Sequence, residues 1–261
     1  MSYPNPPAPI AASGRRLEGK VVFVSGASSG IGEAAARLFA GQGALVAATA
    51  RRLDRLEKIV DDVRAAGSQA IALGCDVADE ASVSAAVAAT VSEFGRLDAA
   101  FNNSGVAGDH LPLHEITADE FDQLMRINLR GVFICLRQQI PHMLAAGGGS
   151  IVVTSSIYGL VGGRGNADYG TSKFGLTGMI RAAALDYWSK GIRVNAVAPG
   201  PTWSEMVERR MSTEEGRKIV EALGPIAHPE DVARAALFLL SDDARWTTGW
   251  VLPVDGGISI R

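Results

Sequence analysis

Tyr169 and Lys173 lie four residues apart in DYGTSKFGLTGMIRAAALDYW, a stretch whose periodicity predicts one long helix. Side chains at i and i+4 share a helix face, so the phenol and the ammonium point the same way. A free tyrosine titrates near pH ~10 and is a poor proton donor or base at neutral pH. A neighbouring ammonium favours the phenolate and brings the group toward the range where it can move a proton. A second chemical feature is SGASSGIG (25–32), with Gly26, Gly30 and Gly32. Glycines there permit positive φ and let backbone N–H groups approach a phosphate, which the start of the following helix also attracts. No metal site is expected. His110, His114, His142 and His228 are scattered, and Pro112 breaks the helical spacing of the first two.

Something must hold these residues, and the chain supplies it by alternation. Apolar, β-rich runs fall at 21–25, 44–50, 69–77, 97–105, 150–156, 192–200 and 250–257, with helical patterns between them. Continuous apolar strands separated by helices imply βαβ units and a parallel sheet covered on both faces. The expectation is α/β: a doubly wound, Rossmann-like, seven-stranded parallel sheet in a single domain, with ligands at the carboxyl ends of the strands. The domain is expected to span 18–261, and the proline-rich residues 1–17 to form a disordered extension. Glycine is in excess, 30 of 261 residues, which suggests many tight turns and close backbone approaches.

Composition excludes other classes. A net charge of −3 speaks against nucleic-acid binding. No apolar run is long enough to span a membrane, and the N-terminus lacks the charged and apolar regions of a secretory signal. Cys75 and Cys135 show no metal or redox spacing and sit in apolar stretches, so buried free thiols in a reducing cytoplasm are expected.

The turn at 25–32, placed in the first βαβ unit, resembles that of the short-chain dehydrogenase/reductase family, T-G-x-x-x-G-x-G, with Ser25 for the usual Thr. The resemblance extends over Gly19–Gly257: Asp76-Val77 after the third strand, NNSG (102–105) where NNAG is usual, and Pro199-Gly200 after the sixth. It implies an NAD(P)-dependent oxidoreductase. It also implies catalytic roles for Ser156, Tyr169 and Lys173, the serine lying thirteen residues before the tyrosine, with Asn128 as fourth member. Strand alternation turns Ser155 and Ser156 opposite ways, so only one faces the site. By the same likeness Ser156 donates to the substrate oxygen, Tyr169 passes the proton, Lys173 lowers the tyrosine pKa and holds the nicotinamide ribose, and Asn128 holds a water. The cofactor is expected on Gly26, Ser28, Ser29, Gly30, Ile31, Gly32, Asp76, Val77, Asn103, Gly105, Tyr169, Lys173, Pro199, Gly200, Thr202 and Ser204. Ser204 falls where the family has Thr.

An acidic residue at the end of the second strand accepts hydrogen bonds from the ribose hydroxyls and repels a 2′-phosphate. Here that place holds Ala50, followed by Arg51 and Arg52. A guanidinium pairs bidentately with phosphate, so NADP(H) is favoured, with NAD(H) possible. The alternative is that both arginines belong to the solvated face of the next helix, with Asp54 and Glu57 as partners. The substrate is expected to be a neutral, fairly hydrophobic secondary alcohol or ketone. It would sit between the 157–165 loop, with Ile157, Tyr158, Leu160 and Val161, and a lid at 201–224 carrying Trp203, Met206 and Met211. By family likeness a homotetramer is expected. A 3-oxoacyl carrier-protein reductase shares these motifs but would want a basic docking patch, for which Arg126, Arg130 and Arg137 are the local candidates. A non-catalytic nucleotide-binding scaffold is the alternative from another class.

Overall fold

The computed structural model describes residues 14–222 and 225–260, the side chains of Met206, Arg210, Glu215, Ile219 and Ala222 excepted. Seven strands, β1 (Val21–Ser25), β2 (Leu45–Ala50), β3 (Ala70–Gly74), β4 (Ala99–Asn102), β5 (Gly149–Thr154), β6 (Ile192–Pro199) and β7 (Val251–Val254), form one sheet in the order β3-β2-β1-β4-β5-β6-β7. Every neighbouring pair is parallel. The helices are α1 (Gly30–Gly41), α2 (Leu53–Ala65), α3 (Glu80–Phe94), α4 (Ala118–Met125), α5 (Gly131–Ala145), α6 (Ala167–Tyr187), α7 (Glu205–Met211), α8 (Glu214–Ala222) and α9 (Pro229–Leu240). Several strands stop earlier than their apolar runs, because chain that leaves the sheet near the crevice is needed as loop.

Two apolar layers enclose the sheet, as its nearly continuous Val and Ala strands require. On one face α1, α2 and α9 bury Ala35, Phe39, Leu56 and Leu237 against Val22, Val24 and Val46. On the other, α3, α5 and α6 bury Val83, Ile134 and Leu176 against Phe23, Ile151 and Val194. Leu17 belongs to the first layer and its N–H donates to Gln42 O at 3.0 Å. The ordered body therefore begins before the boundary expected at residue 18. Residues 1–13 of the expected extension lie outside the described residues. Cys75 and Cys135 are buried and unbridged, and burial pushes the Cys75 thiol up to about 11 and the Cys135 thiol higher still.

The order reverses between β1 and β4, whose last residues Ser25 and Asn102 are paired in register. Ligands of doubly wound sheets enter the crevice at such a switch point. Here it is pinned by one hydroxyl: Ser25 Oγ accepts from the N–H groups of Asn103 at 3.0 Å and Ser104 at 3.1 Å.

Candidate active site

The first wall of the crevice is the glycine turn. Gly26 and Gly30 both have positive φ, +68° and +56°, which an L side chain would strain. A Cβ on Gly32 would stand 2.1 Å from Gly26 O, and one on Gly26 would stand 3.0 Å from Ser104 Cα. The turn is thus as tight as bare backbone allows. At Ser29, the N-cap of α1, no side chain caps the helix, so its first N–H groups remain available to an anion. A pyrophosphate fits this cradle. Asn103 braces it, donating from Nδ2 to Gly26 O at 3.5 Å and accepting from Thr154 Oγ1 at 2.9 Å.

The residues expected to handle the proton stand further along the strand ends. Ser155 and Ser156 follow β5 and do point apart: Ser155 Oγ donates toward Lys173 O at 3.4 Å, whereas Ser156 Oγ accepts from Tyr158 N–H at 3.2 Å and acts on the Tyr169 phenol. Burial pushes that phenol above its ordinary value, the Ser156 hydroxyl pulls it back, and Tyr158 adds to the rise. Tyr158 meets the Tyr169 ring edge to face at 6.3 Å. One turn along α6, Lys173 is buried and donates from Nζ to Thr154 O at 2.9 Å, 5.4 Å from the Tyr169 ring centroid. Burial lowers the ammonium to about 8. In the protein alone, desolvation therefore outweighs the expected pull of the lysine on the tyrosine.

Asn128 lies not in a regular helix but in a π-helical turn, Arg126–Arg130, between α4 and α5. It is fully buried, accepting from Val106 N–H and donating to Val106 O, both at 2.8 Å, and lying 3.4 Å from Ser172 Oγ. Its side-chain amide clamps the loop after β4. Gly105, just before that loop, would place a Cβ 3.3 Å from Asn128 Oδ1 and 3.7 Å from Lys173 Nζ.

Of the other expected cofactor residues, Asp76 caps its own turn, accepting from Ala78 N–H at 3.0 Å. Val77 is buried beside Gly131, its side chain committed to the core. Pro199 ends β6, the Gly200 N–H donates to Val254 O, and Thr202 Oγ1 donates to Gly200 O at 3.0 Å. Ser204 Cβ would sit 3.5 Å from a Cβ on Gly30, so this segment closes over the turn. Arg51 is exposed, whereas Arg52 reaches across to Ser28, Ser29 and Glu205 rather than to Asp54 or Glu57.

Two residues of the site, Asp168 and Glu205, were not singled out from the sequence. Asp168 is buried and accepts from Tyr169 N–H at 2.6 Å, its carboxylate crowding Gly108. An acid in the first turn of the tyrosine's own helix was the available signal. Glu205 gave none, because its contact with Arg52 is made across the fold, and Tyr158, expected as pocket lining, meets the Tyr169 ring as well. A cavity of about 310 Å³ opens beside Asp168, lined among others by Arg51, Val106, Leu111 and Ile127. Within the expected lid, Trp203 Nε1 donates to Glu208 at 3.1 Å, and the Met206 side chain lies outside the described residues. Among the described residues no group of three or more His, Cys, Asp or Glu is gathered to hold a metal. Nor is any helix among them long and apolar enough to cross a membrane.

The family model described as "Enoyl-(Acyl carrier protein) reductase" matches residues 26–259. An A-factor type gamma-butyrolactone 1′-reductase (1S-forming) of Streptomyces virginiae is 44% identical over 94% of this chain and 97% of its own. The chain belongs to the short-chain dehydrogenase/reductase family. Cyclohexanol dehydrogenase of an Acinetobacter species is 39% identical over 94% of this chain and 97% of its own. The crystal structure of levodione reductase superposes with a TM-score of 0.90 at 36% identity, covering 94% of this chain and 99% of that one. Membership agrees with the seven-stranded order and the glycine turn, and it makes this chain an oxidoreductase.

Proposed function

We propose that this reductase transfers a hydride between NADP(H), with NAD(H) as the weaker alternative, and an apolar secondary alcohol or its ketone, preferentially a cyclic one. The observation that carries the reading is Lys173, buried 5.4 Å from the Tyr169 ring centroid and donating to Thr154 O at the end of β5, with Ser156 on the same strand end next to the glycine cradle. Ser156 donates to the substrate oxygen and stabilises charge developing there. Tyr169, held protonated by burial, gives its proton to that oxygen in reduction and takes it back in oxidation. Lys173 stays within reach of the tyrosine and of a ribose hydroxyl, and Asn128 fixes the loop that faces them. When bound, the nicotinamide supplies or accepts the hydride.

The cyclic preference rests on the relatives, whose names specify a butyrolactone derivative, cyclohexanol and levodione. The NADP(H) preference rests on neutral Ala50 and on the Arg52 guanidinium lodged against Ser28 and Ser29. A carrier-protein substrate is the second reading: of its candidate docking residues Arg137 is neutralised by Glu80, whereas Arg126 and Arg130 are exposed. A scaffold without chemistry would have no use for a buried lysine beside a tyrosine. We read the protein as cytoplasmic, its buried Cys75 and Cys135 being unbridged, and as a homotetramer, since Leu185, Trp188, Trp246 and Trp250 are exposed toward the β7 end of the sheet. A panel of cyclic and open-chain ketones and alcohols, followed by nicotinamide absorbance with both cofactors, tests the reaction. Turnover of apolar cyclic members with higher kcat/KM for NADPH is expected. No turnover across the panel, or equal use of the two cofactors, overturns the corresponding part.

A further inference from the structure

The strongest unassigned contact in the crevice is made by a carboxylate of the lid. Arg52, the N-cap of α2, is held on the phosphate turn: its Nε and Nη2 donate to Ser28 Oγ at 3.2 and 3.0 Å, and Nη2 donates to Ser29 Oγ at 2.9 Å. Its remaining nitrogen, Nη1, donates to Glu205 Oε2 at 2.7 Å. Arg55, one turn further on, donates to the other oxygen of the same carboxylate. Glu205 is the first residue of α7. Arg52, chiefly, holds the Glu205 carboxyl below its ordinary range, so it is ionised at neutral pH. The lid helix is thereby tied to the guanidinium that the neutral end of β2 would otherwise leave to a ribose 2′-phosphate.

We propose that Glu205 is a cofactor-specificity residue, an internal counter-ion of Arg52 and Arg55 that a 2′-phosphate displaces, releasing the start of α7. This rests on the NADP(H) reading above and deepens it. The exchange is physically favourable. A phosphate monoester carries up to two charges and three acceptor oxygens, against one charge and two oxygens for the carboxylate. Both arginines and Glu205 are roughly two-fifths exposed, so the existing pairs are weak enough to be given up. A 2′-hydroxyl offers no competing charge. NAD(H) would leave Glu205 in place and the lid tied down.

The test uses the intact protein as wild type, Glu205→Gln and Arg52→Ala, titrated calorimetrically with NADPH, NADH, 2′,5′-ADP and 5′-AMP. Trypsin cleavage after Arg209 in α7 gives a second readout that needs no turnover. Glu205→Gln is expected to tighten NADPH and 2′,5′-ADP about fivefold, leaving NADH and 5′-AMP within about twofold. NADPH, but not NADH, should speed cleavage at Arg209 in the wild type, whereas Glu205→Gln should be cut quickly with either. Equal tightening of all four ligands, or none, overturns the proposal. If Arg52→Ala weakens 2′,5′-ADP while Glu205→Gln changes no ratio, Glu205 is dismissed and the NADP(H) reading stands. If Arg52→Ala leaves 2′,5′-ADP unchanged, the NADP(H) reading fails and the Glu205 proposal falls with it.

Discussion

Lys173 Nζ lies 5.4 Å from the centroid of the Tyr169 ring while donating to the carbonyl oxygen of Thr154 at 2.9 Å. The ammonium is thus anchored to the strand β5 carbonyl and not to the phenol oxygen. Both groups pay for desolvation, and in opposite senses: the phenol is pushed up and the ammonium down. The pair in the protein alone is a protonated phenol beside an ammonium that holds its proton less firmly than in water.

Tyr169→Phe should lower kcat by about 10²- to 10⁴-fold, the usual yield of a positioned proton donor, with NADPH affinity kept within about threefold. Because burial raises the phenol, ketone reduction should hold across neutral pH and decline only on the alkaline side, while alcohol oxidation should climb with pH. Initial rates in both directions across pH, with cofactor titration of the variant, check this. A variant that keeps more than about a tenth of kcat removes Tyr169 from the chemistry.

Lys173→Met should separate activity from stability. The folded ammonium titrates at about 8 instead of 10.5. Between those values the unfolded chain holds a proton that the folded one has lost, so wild-type stability rises with pH through that window and is penalised below it. The variant lacks this rise. Going from neutral pH to pH 10.5, the stability difference should shift in favour of wild type by on the order of 2–3 kcal/mol. Urea melts at several pH values measure it, and a flat difference contradicts the assignment.

Asn128→Ala removes two 2.8 Å hydrogen bonds and leaves both backbone groups of Val106 unpaired. A loss of about 2–3 kcal/mol is expected, a fall in melting midpoint of roughly 4–10 °C. Hydrogen exchange at the Val106 amide should quicken at the same time, and kcat should fall because Gly105 and the loop beyond it are no longer held beside Lys173. Unchanged exchange at Val106 would mean that the clamp is not formed in solution.

Much of this molecule is readable from local pattern. The alternation of Val- and Ala-rich runs with amphipathic helices dictates a parallel, two-sided sheet, because such strands have no polar face to show to water. Glycine types at 26, 30 and 32 dictate a tight turn, and the four-residue step from Tyr169 to Lys173 dictates a shared face. Ser156 was separable from Ser155 by alternation and family spacing, and the coordinates send the two hydroxyls to different partners.

Partnerships between distant segments were not readable, because no local periodicity encodes which loop lies over which. Arg52 finds Glu205 only when the lid folds back over the phosphate turn, across 153 residues of chain. Asn128 turns to Val106 only because a π-helical turn re-aims it, and Tyr158 meets Tyr169 only because the loop after β5 curls over α6. The direction of both active-site pKa shifts was likewise decided by the tertiary structure. Residue type names what can ionise, but burial, which exists only once the sheet and helices have closed around a group, sets how readily it does.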